Sequence, residues 1–213
     1  MMHIFSMKSK TKKLKIQPLE DAPVLYIPLL RSYGSMPEPV VNVGDKVKKY
    51  QLIARSINHM PANMHSPVSG IVTDIREALQ ADGFIATTIV ISNDFQETKV
   101  ELPKGDTGSY TSGQLIELIE AAGIVGEGGA QFPASLKYKL EGHKINTFII
   151  NGTECKPYLT ADYALMAERT EELFKGIGIA NRILQADDIV ITIEEQNKDL
   201  QKIFSPLLQK AGY

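Results

Sequence analysis

A glycine-rich loop between residues 123 and 137 carries the residue types that bind anions. Gly126, Gly128 and Gly129 have no side chains, so their backbone amides can approach a phosphate closely. A short helix is predicted to begin near Pro133, and its N-terminus adds a partial positive charge. Lys137 adds a full positive charge. The loop therefore predicts a site for an anionic ligand, and the alternative is a connecting turn that is only rich in glycine.

The loop differs from the dinucleotide-binding fingerprint in two respects. Gln131 stands where that fingerprint has its third glycine, and residues 112–122 before the loop have helical rather than strand spacing. A side chain at position 131 either obstructs a ligand or takes a backbone conformation that glycine adopts more easily. Glu127 also places a negative charge inside the loop, which weakens an anion site.

Acidic and amide side chains follow two predicted strands of the C-terminal half. Asn151 and Glu154 come at the end of the strand predicted over residues 147–151, and Glu194 ends the strand predicted over residues 189–193. Ligands of open α/β sheets bind at the carboxyl ends of the strands. These groups suit hydrogen bonds to a heteroaromatic ring or to sugar hydroxyls, and the alternative is that they are ordinary turn residues.

The elements that position these residues change in type along the chain. From Val24 to about Val100 the apolar residues form short β-branched runs broken by Gly, Pro, Asn and Asp, which predicts an all-β fold. From Ser112 the spacing becomes helical and then alternates with strands, which predicts an α/β fold. The polar stretch from Leu102 to Ser109 has the composition of a linker, so we predict domains over residues 1–105 and 106–213.

The β half has the pattern of a carrier domain without its carrier residue. Segments 43–54 and 66–72 resemble the two hairpins of the barrel-sandwich fold in biotinyl and lipoyl carriers, with turns expected at Gly44-Asp45 and Ser69-Gly70. Residues 55–65 between them contain no lysine to which a cofactor could be attached. We therefore expect a structural or docking module. His59 and His65 in this loop are expected to be surface residues rather than metal ligands.

Composition limits the remaining possibilities. The net charge of −2 over 213 residues disfavours a nucleic-acid partner, and no apolar stretch approaches the ~18 residues that span a bilayer. Cys155 is the single cysteine, so it cannot form an internal disulfide or supply the thiolates of an iron-sulfur cluster. The lysines near the N-terminus are expected to form a solvated, mobile leader; they are Lys8, Lys10, Lys12, Lys13 and Lys15.

Two segments together resemble a known family. The loop Gly126–Pro133 resembles the G-x-G-G-A-G-F-P loop, and Ile149–Asp162 resembles the segment I-I-N-G-A-E-C-E-P-Y-L-T-A-D, of the C subunit of Rnf-type electron transport complexes. The resemblance covers the chain from about residue 18 and corresponds to the N-terminal half of that family's proteins. It extends more distantly to the flavoprotein subunit of respiratory complex I.

The resemblance implies a fold, a cofactor and roles for residues. The implied fold is α+β with two domains, an N-terminal all-β barrel-sandwich hybrid of the biotinyl/lipoyl type and an α/β Rossmann-like flavin domain that is incomplete at the C-terminus. FMN is the implied cofactor, and NADH delivers hydride to flavin N5 without a covalent catalyst among the side chains. The implied cofactor-binding residues are Gly126, Gly128 and Gly129 at the phosphate and ribityl chain, Phe132 near the nicotinamide, Lys137 at the phosphate, and Asn151, Glu154 and Glu194.

The resemblance also implies partners and leaves one alternative. Electrons pass from the flavin to iron-sulfur clusters outside this chain, within a membrane complex whose other subunits hold this one at the inner, cytoplasmic face of the cell membrane. Gln131 replaces the last loop glycine and Lys156 replaces an acidic residue of the family segment. The chain is also expected to stop before the part that completes the flavin pocket. The alternative is therefore a non-catalytic assembly or docking module with a decayed flavin site.

Overall fold

The described residues of the N-terminal half form seven strands. A computed structural model describes residues 7–29, 37–56, 61, 63–81, 83–103, 107–126 and 131–211. The strands are β1 (Val24–Pro28), β2 (Glu38–Pro39), β3 (Lys46–Val47), β4 (Leu52–Arg55), β5 (Met64–His65), β6 (Gly70–Leu79) and β7 (Ile85–Asn93). They form one sheet in the order β1-β7-β6-β3 and a second in the order β2-β4-β5.

The alternation of apolar residues in these strands builds a single core. Ile53, Val72, Ile89 and Ile91 are fully buried between the two sheets. Gly44 occupies the predicted turn with a φ of +94°, where a glycine avoids the Cβ clash of the left-handed region. The turn expected at Ser69-Gly70 is wrong, because Gly70 already pairs in β6 opposite Asn93. The predicted all-β sandwich is otherwise confirmed.

Two helices that follow the predicted linker belong to the same compact unit as this β half. The helix α1 (Ser112–Ala121) begins with a capping box between Thr111 and Gln114, and α2 (Ala134–Lys137) follows Pro133 as predicted. Gly123 after α1 has a φ of +65°, and a Cβ there would lie 2.0 Å from the backbone oxygen of Asn63. A glycine at this position thus allows the end of α1 to approach the β half.

The C-terminal half contains a parallel pair of strands. Its elements are β8 (Thr147–Gly152), α3 (Ala161–Glu168), α4 (Thr170–Leu184), β9 (Asp188–Ile193) and α5 (Asp199–Ala211). β8 and β9 pair in parallel, with Asn151 opposite Thr192, so α3 and α4 form the crossover of a β-α-β unit. Both predicted strands are confirmed. Met166, Leu200 and Phe204 form the buried core of these elements.

The chain divides into two compact units. One is Glu20–Leu140, and the other combines the residues up to Leu19 with those from Glu141 onward. The expectation of a solvated, mobile leader is wrong for Lys8 and Lys12. Lys8 is only 5% exposed, and Lys12 forms an ion pair with Asp199. The domain boundary after residue 105 stays a prediction. Within the described residues, no helix has the length and apolar character needed to cross a membrane.

Gly152, at the end of β8, packs closely against α3 and β9, and a substitution there tests this packing. A Cβ on Gly152 would lie 2.8 Å from Met166 Sδ and 2.8 Å from the backbone oxygen of Thr192. We expect Gly152→Ala to lower the free energy of unfolding by about 1–3 kcal/mol, the usual cost of overpacking. Chemical denaturation measures this change.

Gly176→Ala is the matched control in the same unit. Gly176 lies in α4 with no atom within 4 Å of its added Cβ, so alanine should stabilise the helix by about 0.5–1 kcal/mol. Equal effects of the two substitutions would contradict the packing described for Gly152.

Candidate functional site

The ends of β8 and β9 are joined by a hydrogen bond between two of the predicted site residues. The backbone N–H of Glu154 donates to Oε1 of Glu194 at 2.9 Å. The parallel pairing makes this contact possible, because the carboxyl ends of parallel strands lie at the same edge. The structure therefore brings Glu154 and Glu194 together.

The carboxylate of Glu154 caps α3. Its Oε1 accepts a hydrogen bond from the backbone N–H of Asp162 at 2.8 Å, and its Oε2 accepts from Tyr163 at 3.4 Å. These N–H groups belong to the first turn of the helix, which has no intrahelical partners for them. Glu154 is only 4% exposed. The Glu154 carboxylate is therefore used to cap α3. A ligand could contact it, as predicted, only if these capping hydrogen bonds were shared or broken.

A buried lysine from the N-terminal segment holds Glu194. Lys8 Nζ lies 2.8 Å from Oε1 and 3.0 Å from Oε2 of Glu194, and it also donates to the backbone oxygen of Glu154. Gln196 donates to Oε2 of the same carboxylate. Both oxygens of Glu194 are thus occupied by donors of the chain itself. No local pattern in the sequence indicates this role of Lys8, because Lys8 and Glu194 are 186 positions apart.

The hydrogen bonds to Glu194 decide its protonation. Partial burial raises the pKa of the Glu194 carboxyl, but the hydrogen bonds from Lys8, Gln196 and the Glu154 backbone outweigh burial, so the pKa lies below its ordinary value. The carboxylate is therefore charged at neutral pH, as is required for an ion pair with Lys8.

A second lysine, four residues further along the chain, holds the same segment. Lys12 Nζ donates to Oδ1 of Asp199 at 3.0 Å and to the backbone oxygen of Gln196 at 2.8 Å. Its ammonium also lies 4.4 Å from the centre of the Tyr163 ring. The Tyr163 hydroxyl donates to Asp199, and this bond, with some burial, raises the pKa of Tyr163 to about 12. The two lysines hold the segment through opposite charges on β9 and α5.

An open groove of about 670 Å³ lies at these strand ends. The residues that line it are Lys8, Glu154, Cys155, Lys156, Pro157, Glu194, Glu195 and Gln196. Asn151 lies on the same strand end, where its Oδ1 accepts hydrogen bonds from the Thr153 backbone at 3.2 Å and hydroxyl at 2.6 Å. What Asn151 offers a ligand is therefore its NH₂ group, a donor.

The glycine-rich loop brings three other predicted residues together in the unit Glu20–Leu140. Lys137 Nζ lies 3.7 Å from the position that a Cβ on Gly126 would take and 5.9 Å from the centre of the Phe132 ring. No carboxylate of the described residues lies within ion-pair distance of Lys137. Gly128 and Gly129 lie outside the described residues. A small residue at 126 thus leaves space beside an exposed cation.

Gln131 adopts a left-handed backbone conformation, one of the two outcomes expected from the sequence at this position. Its φ is +50°, in the left-handed region that glycine adopts at lower cost. Position 131 thus combines a left-handed backbone conformation with a side chain.

The histidine loop gives no metal centre among the described residues. His59 lies outside them, whereas His65 belongs to β5, and burial lowers the pKa of its imidazole. No group of three or more His, Cys, Asp or Glu side chains that could hold a metal ion occurs in the described part of the chain. Cys155 is exposed and unpaired with another cysteine.

Comparison with known families matches both halves of the chain. Residues 2–96 match the RnfC barrel-sandwich hybrid domain, and residues 119–213 match the Nuo51 FMN-binding domain. The chain thus combines a barrel-sandwich hybrid domain with a domain of the FMN-binding class.

Curated relatives are similar to almost the whole chain. The C subunit of an ion-translocating oxidoreductase complex from Rhodobacter capsulatus is 35% identical over 210 residues, which cover 97% of this chain and 40% of the relative. The C subunit of a proton-translocating ferredoxin:NAD(+) oxidoreductase complex from Clostridium ljungdahlii is 37% identical over 185 residues, covering 84% and 40%. The C subunit of an ion-translocating oxidoreductase complex from Haemophilus influenzae is 35% identical over 216 residues, covering 99% and 26%.

The chain therefore belongs to the family of Rnf-type C subunits and corresponds to their N-terminal part. The resemblance inferred from the two sequence segments is confirmed. The chain spans about two fifths or less of the length of these relatives.

The cap at Glu154 generates one prediction. Glu154→Ala removes both acceptors from the first turn of α3, so we expect the free energy of unfolding to fall by about 2 kcal/mol. Glu154→Gln keeps one acceptor and should cost less than half as much. Urea denaturation of both variants measures the difference, and equal losses would show that the cap is not what Glu154 contributes.

The lowered pKa values of Glu194 and Asp199 generate a second prediction. For Asp199, burial raises the pKa, while hydrogen bonds from Tyr163 and Lys12 outweigh it. Because both carboxyls have lower pKa values in the folded chain, their stabilising contribution is complete above their ordinary pKa of about 4. It is lost as the pH falls through the lower folded values.

The test compares the wild type with Glu194→Gln and with Glu171→Gln. Glu171 is an exposed residue of α4. Below about pH 4, the free energy of unfolding should fall with a shallower slope in Glu194→Gln than in the wild type and in Glu171→Gln. Parallel slopes in all three proteins would contradict the lowered pKa of Glu194.

Proposed function

We propose that this chain is the flavin-binding part of an Rnf-like C subunit, which binds FMN and NADH and passes electrons toward iron-sulfur clusters outside the chain. The observation that carries the proposal is the arrangement of Lys137 beside Gly126 and Phe132, inside the segment that matches an FMN-binding domain. A cation next to a residue without a side chain suits a phosphate.

The loop fits the phosphate end of FMN. Lys137 is exposed and has no described carboxylate as a partner. The nearby Ser135 hydroxyl is 1% exposed and has no hydrogen-bonding partner among the described residues. A buried polar group without a partner is rare in proteins and commonly marks a missing water or ligand. In the proposed site Lys137 neutralises phosphate charge, while Gly126 leaves room for it.

The strand ends fit the more polar parts of the ligands. The NH₂ group of Asn151 is a donor suited to an acceptor on the flavin ring. Glu194 is an acceptor suited to sugar hydroxyls once one of the chain's own donors leaves it. When bound, a flavin accepts a hydride and releases single electrons. The chain's own residues contribute position and charge, with Phe132 supplying an aromatic surface for the nicotinamide. We infer that the β-α-β unit is part of a Rossmann-like flavin domain.

The proposal extends to partners and place. The relatives are named as subunits of ion-translocating complexes, which supports other subunits of such a complex as partners of this chain. We infer a position at the inner face of the cell membrane, reached through those subunits.

A docking module with a decayed flavin site is the second candidate. The observation that favours it is the use of the strand-end acids for structure, since Glu154 caps α3 and Glu194 pairs with Lys8. In that case the same groups hold the fold together and have no ligand.

Flavin titration distinguishes the two candidates. We expect saturable quenching of FMN fluorescence by the wild type, and about 10-fold or greater weakening in Lys137→Met, because a charge-assisted hydrogen bond is worth about 1.5–3 kcal/mol. Riboflavin lacks the phosphate, so its affinity should be the same for both proteins.

Lys139→Met is the matched control for Lys137→Met. Lys139 is also exposed and pairs with Glu120 at 3.1 Å, so its loss removes an equal charge from the same region and should leave FMN affinity nearly unchanged. Equal weakening in both variants would show that only net charge matters. Absence of FMN binding to the wild type would favour the docking module.

A further inference from the structure

The N-terminal segment occupies the place where a ligand would meet Glu194. We define the strap as residues Met7–Ile16, which contain a short 3₁₀ turn at Lys8–Lys10. The Lys8 ammonium lies at the carboxyl ends of two parallel strands, which is the usual ligand position in α/β sheets. Lys8 of the strap therefore occupies the position at the strand ends where ligands of α/β sheets usually bind.

The strap leaves Glu194 no free acceptor. Oε1 accepts from Lys8 and from the Glu154 backbone, while Oε2 accepts from Gln196 and from Lys8. A sugar hydroxyl that donates to this carboxylate must displace at least one of these donors. Lys8 is the donor that can leave, because the other two lie within the strand-end segments themselves.

The remaining contacts of the strap lie at the surface. The Thr11 hydroxyl donates to the Tyr158 backbone at 2.8 Å, and the Ile16 backbone donates to Glu168 at 3.2 Å. Both bonds are exposed, as is the pair of Lys12 with Asp199. Exposed bonds of this kind contribute little each, so the buried pair of Lys8 with Glu194 is the main contact that holds the strap closed.

Burial gives Lys8 a special position among these contacts. Its side chain is 6% exposed and that of Glu194 is 18% exposed. A buried ammonium is stable only with a charged or polar partner. Loss of Glu194 to another ligand would therefore drive Lys8 toward solvent, and loss of the Lys8 charge would leave Glu194 available.

We propose that the strand-end groove is a receptor for the strap, and that the strap competes with the ribose hydroxyls of a dinucleotide for Glu194. The strap is then a latch: Lys8 closes the groove in the free chain, and the dinucleotide binds as the strap lifts. This inference rests on the proposed function for its ligand, but the docking of the strap through Lys8 does not.

The test uses hydrogen exchange of the strap together with NADH titration of the full chain. Lys8→Met keeps an unbranched side chain of similar length and removes the charge. We expect exchange of the strap amides to become faster in Lys8→Met and NADH affinity to rise on the order of 10-fold, because the closed population is lost. In the wild type, added NADH should itself speed exchange of the strap, since coupling is reciprocal.

Two further variants make the test specific. Lys10→Met removes an exposed charge from the same strap and controls for weaker attraction of an anionic ligand; its exchange and affinity should match the wild type. Glu194→Gln breaks the ion pair from the other side, so exchange should become faster without tighter NADH binding.

The outcomes separate the latch from the proposed function. Unchanged exchange in Lys8→Met overturns the docking of the strap through Lys8. Faster exchange without tighter binding, in a chain whose wild type binds NADH, overturns the competition and leaves the proposed function intact. If no variant binds NADH, the proposed function and the competition both fail, while exchange alone still decides whether Lys8 docks the strap.

Discussion

A buried ammonium group is stable only next to an anion or another acceptor, and Lys8 meets this requirement by pairing with Glu194. The other contacts at the strand ends of the C-terminal unit depend on this ion pair. Glu194 sits at the end of β9 and also accepts from the backbone of Glu154 at the end of β8. One carboxylate thus ties together two strands and the N-terminal segment. The parallel register of β8 and β9 is the condition for this arrangement, because it places both carboxyl ends at one edge.

The acids at the strand ends therefore serve the structure of this unit. Glu154 satisfies N–H groups that every helix leaves without partners, and Glu194 satisfies a buried cation. The dinucleotide proposed to bind at this edge would have to displace donors that the chain already supplies.

Close packing limits which residues are tolerated at the end of β8. Gly152 lies too near Met166 and the β9 backbone for any side chain, whereas Gln131 of the other unit holds a conformation that a glycine would hold at less cost. The first position is fixed by the fold. At the second position a glutamine occupies the left-handed region, so the cost of that conformation is borne by a residue with a side chain.

Local patterns in the sequence determined the elements and the family. Alternating β-branched residues predicted the strands of the sandwich, and the spacing from Leu115 to Ile119 predicted α1. The loop at residues 126–133 and the segment 149–162 together carried the resemblance to Rnf-type C subunits, which the comparisons confirm. Only the tertiary structure decided that Lys8 is buried rather than solvated and that the Glu154 carboxylate caps a helix. The physical reason is distance along the chain: Lys8 and Glu194 are 186 residues apart, and no local pattern shows that two such charges will meet.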